Sequence, residues 1–200
     1  MHAMSKRLAP MRATTQAAEG LPRLKWSLAE FDRLGELGIF AEDDRIELIG
    51  GELVPMSPKG NRHENVKSVL IDYFYRRLPL DTRLTVELGW RPAGDNYLEP
   101  DIVLYPSTLL PADVPAAKAL LVIEVAHSSK HYDLGTKAQV YAALGVREYW
   151  VIDAVKLATR VFREPSAAGY GVVENHAASA TITPLLLPAL AVRMAELGLD

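Results

Sequence analysis

Two apolar runs in the middle of the chain predict strands that are buried on both faces. Residues 120–123 read Leu-Leu-Val-Ile, and residues 102–104 read Ile-Val-Leu. Continuous runs of this length and composition are typical of central strands in a covered sheet. A carboxylate adjoins each run, Glu124 at the end of the first and Asp101 at the start of the second. The pattern therefore predicts two charged side chains beside the core.

A helical repeat follows the first of these runs and carries a third charge. Residues 130–144 predict a helix, and Lys137 comes three residues after Leu134 and four before Tyr141. This spacing places its ammonium on or beside the helix face that packs on the sheet. Residues 147–153 then predict another strand. A helix between two apolar strands predicts a βαβ unit with parallel strands and a right-handed connection.

The N-terminal part of the chain predicts a capped helix and then a hairpin. Ser27 followed by Glu30 has the pattern of a capping box, so a helix should begin at residue 28. Residues 45–54 form two short apolar segments around Gly50-Gly51, which is typical of a hairpin with a primed turn.

Glu47 and His63 each allow two interpretations. Glu47 faces away from its apolar neighbours in the first hairpin strand, as a solvent-facing residue or as a third carboxylate of a site. His63 lies in the first turn of a second predicted helix over residues 63–78, as a surface or capping residue or as a ligand. Several basic residues surround it and predict either a solvated face or contacts with phosphates: Lys59, Arg62, Lys67, Arg76, Arg77 and Arg83.

The remaining segments predict peripheral structure. Residues 1–20 show no sustained period and are expected to form a disordered tail. Residues 158–163, 169–173 and 180–183 predict short antiparallel strands, and a proline-interrupted apolar segment over residues 185–197 closes the chain.

Composition narrows the class of protein. The chain has 200 residues, 49% of them hydrophobic and 24% charged, which predicts one α/β domain over residues 21–200. It contains no apolar run of the ~18 residues that a membrane span needs, so no membrane partner is expected. With no cysteine, it cannot form disulfides or thiolate metal sites, which favours a cytoplasmic location. The net charge of −3 gives no global attraction to nucleic acid.

The three central charges favour a particular chemistry. Two neighbouring carboxylates in a core repel each other, and a divalent cation removes that repulsion. A nearby lysine can then orient a water molecule or balance the charge of a phosphate. Asp101, Glu124 and Lys137 therefore suggest metal-assisted phosphodiester hydrolysis. A purely structural, salt-bridged trio at the end of the sheet is the alternative.

The motifs around these residues resemble the Uma-type family of bacterial restriction endonuclease-like proteins, within the PD-(D/E)XK nuclease superfamily. The resemblance extends from about Trp26 to Leu190 and rests on two central segments, residues 97–103 and residues 121–125. It continues through positions in and after the predicted helix: Ser128, Ser129, Asp133, Lys137, Tyr141, Gly145, Val146, Glu148, Tyr149, Trp150 and Asp153. Glu47, Glu52 and His63 match the first motif of the family.

The resemblance implies a fold, a cofactor and a set of roles. The fold is a restriction-endonuclease-like mixed β-sheet flanked by helices, with an N-terminal helix and β-hairpin. Asp101 and Glu124 would ligate Mg²⁺ or Mn²⁺ with the main-chain carbonyl of Val125, and Glu47 would assist from the hairpin. Hard oxygen ligands favour these ions over zinc. The implied partner is DNA, and the protein is expected to be a homodimer.

The sequence departs from the superfamily at the lysine. The position two residues after Glu124 holds Ala126, and the replacement is Lys137, thirteen residues after Glu124. Lys130 is the competing candidate, at the junction of loop and helix.

Three functions agree with these residues. The leading hypothesis is a metal-dependent endonuclease that hydrolyses DNA. The second is a catalytically silent nucleic-acid-binding or dimeric interaction module that keeps the nuclease fold, which the lack of a large basic surface favours. The third is a phosphoesterase that uses the same site on a small nucleotide.

Overall fold

The computed structural model describes residues 24–41 and 43–199. The predicted tail over residues 1–20 lies outside them. The helices are α1 (Leu28–Glu36), α2 (Asn61–Tyr75), α3 (Lys130–Tyr132) and α4 (Ala138–Ala143), with a π-helical turn over Asp133–Lys137. The strands are β1 (Ile46–Ile49), β2 (Glu52–Pro55), β3 (Thr82–Val86), β4 (Ile102–Pro106), β5 (Leu121–Ala126), β6 (Glu148–Asp153), β7 (Thr159–Ser166), β8 (Gly169–His176), β9 (Thr181–Ile182) and β10 (Val192–Arg193).

Six strands form the central sheet, in the order β3-β4-β5-β6-β7-β8. β5 and β6 are parallel, and the other neighbouring pairs are antiparallel. The mixed α/β fold predicted from the sequence is thereby confirmed, including the parallel pair on either side of the helical segment. No helix in the described part of the chain is both long enough and apolar enough to cross a membrane.

The central sheet has a core layer on each face. Ile123 and Val125 of β5 pack in the layer that contains Leu70 of α2, whereas Val122 packs in the layer that contains Tyr141 of α4. The three residues of β5 are buried, as the continuous apolar run predicts, and so is Tyr141. Because side chains alternate along a strand, Glu124 lies on the α4 face, together with Val122.

The two N-terminal predictions are confirmed in detail. Ser27 caps α1, and both hydrogen bonds of the capping box with Glu30 are present. β1 and β2 pair as a hairpin whose turn residues, Gly50 and Gly51, have φ angles of 60° and 86°. Positive φ at both positions is what a primed turn requires, and glycine adopts it without a steric penalty.

The continuous helix predicted over residues 130–144 is wrong in its middle. The segment changes from α-helix to a π-helical turn at Asp133–Lys137 and back to α-helix at Ala138. The side chain of Tyr149, in β6, donates a hydrogen bond of 3.1 Å to the main-chain carbonyl of Asp133 in this turn. π-helical turns are rare and occur frequently at functional sites.

A buried glutamate connects the sheet to the C-terminal segment. Glu148 is fully buried at the start of β6 and accepts hydrogen bonds from the guanidinium of Arg163 at 2.7 and 3.0 Å. It also accepts from the indole of Trp150 at 2.9 Å and from the main-chain N–H of Leu185 at 2.6 Å. Four donors thus satisfy one carboxylate, which is the arrangement that a buried charge needs.

Candidate functional site

Asp101 and Glu124 lie next to each other at the centre of the sheet. Asp101 directly precedes β4, and Glu124 lies in β5, which pairs with β4. The main-chain N–H of Asp101 is 3.4 Å from Glu124 Oε2, and the N–H of Val125 donates to Asp101 Oδ2 at 2.8 Å. Both carboxylates are almost inaccessible to water, at 3% and 4% exposure. The structure therefore brings together the two carboxylates that the sequence singled out.

Lys137 joins them from the π-helical turn. Its Nζ atom lies 3.0 Å from Glu124 Oε1 and 3.1 Å from Glu47 Oε2. Burial would lower the pKa of Lys137, but the charges of Glu124 and Glu47 hold it above its ordinary value. Lys137 is therefore a protonated, buried ammonium. Lys130, the competing candidate, pairs instead with Asp153 at 2.6 Å, and its side chain is 47% exposed.

Glu47 reaches the same cluster from the β1–β2 hairpin. It is buried, and besides contacting Lys137 it accepts a hydrogen bond of 2.8 Å from the main-chain N–H of Glu99. Glu47 is therefore not a solvent-facing residue, which was one of the two interpretations that the sequence left open. The hairpin carries Glu47 to the cluster, because the neighbouring Leu48 pairs with Tyr97, in the segment that leads to Asp101.

His63 and Lys59 complete the surroundings of Asp101; the sequence left open a ligand role for His63 and a phosphate contact for Lys59 but assigned neither to the site. His63 Nε2 lies 3.0 Å from Asp101 Oδ2, and Lys59 Nζ lies 2.8 Å from Asp101 Oδ1. Burial would raise the pKa of Asp101, but the hydrogen bond from His63 and the charge of Lys59 hold it well below its usual range. The position of His63 in the first motif of the family was the one signal for it.

A second carboxylate anchors Lys59. Glu87 contacts Lys59 Nζ at 2.5 Å and Lys67 Nζ at 2.6 Å. Burial opposes the ionisation of Glu87, yet the hydrogen bonds from the two lysines lower its pKa to about 2. Its φ of 49° is unusual for a residue other than glycine. Glu87 and Asp101 therefore hold Lys59 between them.

Glu124 and Asp133 experience the opposite electrostatic environment. Burial raises the pKa of Glu124 well above its ordinary value, and although Lys137 opposes this, the charges of Asp101, Asp133 and Glu47 add to it. Burial also raises the pKa of Asp133, against the effect of Lys137 and of a 2.5 Å hydrogen bond from Ser129. Carboxylates in this state gain stability from a nearby cation.

These side chains line one cleft of about 940 Å³. Its described lining contains two lysines, Lys59 and Lys137, and six carboxylates: Glu47, Glu52, Glu99, Asp101, Glu124 and Asp133. Both lysines are already paired with carboxylates of the cluster. The cleft is therefore acidic overall, and a cation would lower the repulsion between its carboxylates.

The types of donor atom in the cleft agree with the divalent cation that the resemblance implies. Across residues 24–41 and 43–199, no group of three or more Asp, Glu or His side chains is arranged to hold a metal ion. The proposed set is smaller, with two carboxylates from Asp101 and Glu124 and the carbonyl of Val125. Mg²⁺ is commonly held by one or two carboxylates while it keeps several water ligands. A set of two carboxylates and one carbonyl therefore suits this ion.

Comparison with known proteins identifies relatives of this chain. The model of the Uma2 family, described as "Putative restriction endonuclease", matches residues 28–195. Among solved structures, a crystal structure from Anabaena variabilis ATCC 29413, described as "a putative nuclease belonging to DUF820", is similar with a TM-score of 0.65. The two sequences are 17% identical, and the match covers 86% of this chain and 96% of that one. None of the curated proteins matches the chain. At this identity, the structural likeness concerns the fold.

Proposed function

Because this chain belongs to the Uma2 family, we propose that it is a metal-dependent nuclease that hydrolyses phosphodiester bonds of DNA. The family and the nuclease-like fold support a nuclease. The observation that carries the rest is the meeting of Asp101, Glu124 and Lys137 in one acidic cleft.

Asp101, Glu124 and the carbonyl of Val125 would hold Mg²⁺ or Mn²⁺. The bound ion supplies charge neutralisation at the phosphate and lowers the pKa of a water molecule. Asp101 is suited to bind a cation because His63 and Lys59 keep it ionised. The ionised form of Glu124 would be stabilised by a cation, since burial raises its pKa.

Lys137 would act on the attacking water or on the phosphate. Its ammonium is buried and held by Glu124 and Glu47, so its position is fixed before substrate binds. A preorganised donor of this kind stabilises the charge that develops on phosphate oxygens as water attacks and the P–O bond breaks. Glu47 touches Lys137 and is therefore a positioning residue in this scheme.

The experiment that tests this proposal compares DNA cleavage by the wild type and by Glu124→Gln. The wild type is expected to cleave DNA, supplied as a plasmid or as an oligonucleotide, with Mg²⁺ or Mn²⁺ and to lose this activity in EDTA. The substitution should lower the rate by about 10²- to 10³-fold, as when one group that stabilises developing charge is removed. It keeps the shape of the side chain, and Lys137 retains its contact with Glu47.

Metal binding gives a readout that does not depend on turnover. Titration calorimetry should detect Mn²⁺ binding to the wild type and its loss in Asp101→Asn. Asp153→Asn is the matched control, because this carboxylate pairs with Lys130 outside the cluster. Cleavage that survives Glu124→Gln, or Mn²⁺ binding that survives Asp101→Asn, would refute the assigned site.

One observation favours the second candidate, a silent nucleic-acid-binding or interaction module. Each of the two carboxylates proposed as metal ligands already has a lysine partner, Lys59 on Asp101 and Lys137 on Glu124. A silent module would bind DNA in a salt-dependent manner without cleavage. Its melting temperature would not rise with Mg²⁺ or Mn²⁺, whereas that of a metal-binding nuclease should. The homodimer and the cytoplasmic location remain predictions.

A further inference from the structure

The lining of the cleft has two chemically different parts. The charged cluster is buried, with Asp101, Glu124 and Lys137 each at most 6% exposed. The accessible lining includes apolar side chains from the segment 53–58 and an aromatic one, Trp26. The accessible lining also has a polar part, with the exposed side chains of His127, Ser128 and His131. The apolar part, residues 53–58 and Trp26, suits a flat apolar group attached to the phosphate, which in a nucleic acid is the base.

Trp26 lines the same cleft as the charged cluster and is anchored to the hairpin turn. Its main-chain N–H donates to the carbonyl of Gly51 at 2.8 Å, in the turn of the hairpin that carries Glu47. A Cβ atom at Gly51 would lie 3.2 Å from the carbonyl oxygen of Trp26, so this close approach favours glycine. Within the described residues, the half-buried indole of Trp26 packs in neither core layer of the central sheet. Tyr132, which also lines the cleft, packs against the layer of α4.

The charges of the cleft do not suit a duplex. Proteins hold duplex DNA mainly through Lys and Arg contacts to successive phosphates, and the duplex keeps its base faces stacked inside. The described lining offers two lysines, both committed to carboxylates, against six acidic residues. Proteins that bind single strands also use basic residues along the backbone, but they add the stacking of bases on aromatic side chains, which a duplex with its base faces inside does not offer.

We propose that the cleft takes unpaired nucleic acid and that the indole of Trp26 stacks on a base of the strand whose phosphate would lie at the metal ion held by Asp101 and Glu124. The substrate class is thus a single strand or a strand with locally unpaired bases. This inference rests on the proposed nuclease function for its cleavage step. Its binding step is separate and can be tested alone.

Binding is measured with the full-length chain and a labelled phosphorothioate single strand, which resists hydrolysis, in the presence of Mn²⁺. The duplex of the same sequence and an abasic strand of the same length serve as comparison probes. We expect the single strand to bind most tightly, and Trp26→Ala to weaken its binding about 5- to 150-fold, the range for loss of one base–aromatic stack. Trp26→Phe keeps an aromatic ring and should retain most of the affinity.

Intrinsic fluorescence locates the contact. The chain has three tryptophans, and Trp90 and Trp150 are fully buried at 0% exposure. Saturable quenching by the single strand, absent in Trp26→Phe, would therefore report on Trp26. Equal affinity for duplex and single strand, or unchanged affinity in Trp26→Ala, would overturn the inference.

Cleavage assays separate this inference from the proposed function. If an unmodified single strand binds through Trp26 but no probe is cleaved with Mg²⁺ or Mn²⁺, the nuclease proposal fails and the ligand class stands. If duplex DNA is cleaved at least as fast as the single strand, the nuclease proposal stands and the inference about Trp26 fails.

Discussion

Replacement of Lys137 by methionine is expected to lower the free energy of unfolding by about 3–5 kcal/mol, the usual cost of leaving a buried charge without its partner. The ammonium contacts Glu124 and Glu47 and lies 3.8 Å from Asp133. Without it, three buried carboxylates face one another. Urea denaturation followed by circular dichroism measures the loss.

Lys130→Met is the matched control for this substitution. Lys130 belongs to the same helical segment, but its ion pair with Asp153 is accessible to water. Exposed pairs contribute about 0–1 kcal/mol, so this variant should unfold nearly as the wild type does. Equal stability of the Lys137→Met and Lys130→Met variants would show that the carboxylates of the cleft do not need the buried ammonium.

Glu148→Ala is expected to lower the free energy of unfolding by about 3 kcal/mol, the lower end of the range for a broken buried ion pair. The lower end applies because the side chain of Arg163 is 23% exposed and can be hydrated. The indole of Trp150 and the N–H of Leu185 would also lose their acceptor. Thermal and urea denaturation measure the change.

The rate of DNA cleavage distinguishes a loss of stability in Glu148→Ala from a change in the cleft. Glu148 lies outside the cleft lining, so the rate of DNA cleavage per folded molecule should not change in Glu148→Ala. Glu148→Gln keeps an acceptor for Trp150 and Leu185 and should lose less stability than the alanine variant. A cleavage rate that falls without any loss of stability would contradict a structural role for this residue.

The sequence predicted the centre of the fold because its signals there are local. The apolar run that ends at Glu124 has the length and composition of a buried strand, and a carboxylate at its end is visible in the sequence alone. Lys137 could be assigned to the sheet-facing side of a helix from its spacing to Tyr141. These three clues place a charge cluster on the sheet without any knowledge of the tertiary structure.

The rest of the cluster depends on contacts between distant residues. Lys59 is 42 residues from Asp101 along the chain, and His63 is 38 residues from it. The loop and helix that carry them look like a solvated basic region, and only their packing against the sheet turns these side chains inward. The π-helical turn also has a weak signal, since Gly135 lowers helix propensity but does not indicate which irregular turn results.

Because of the π-helical turn, the position of Lys137 can change independently of the positions of Asp101 and Glu124. Asp101 and Glu124 are placed by paired strands, whereas Lys137 is carried by a segment whose register depends on one irregular turn. Each residue of an α-helix rotates the following ones by about 100°. Removal of one residue between 133 and 137 could therefore restore a regular helix and turn the ammonium out of the cleft while the sheet stays intact. A chain with this fold can gain or lose the buried ammonium of its cleft through a single-codon insertion or deletion, a shorter evolutionary step than rebuilding a strand.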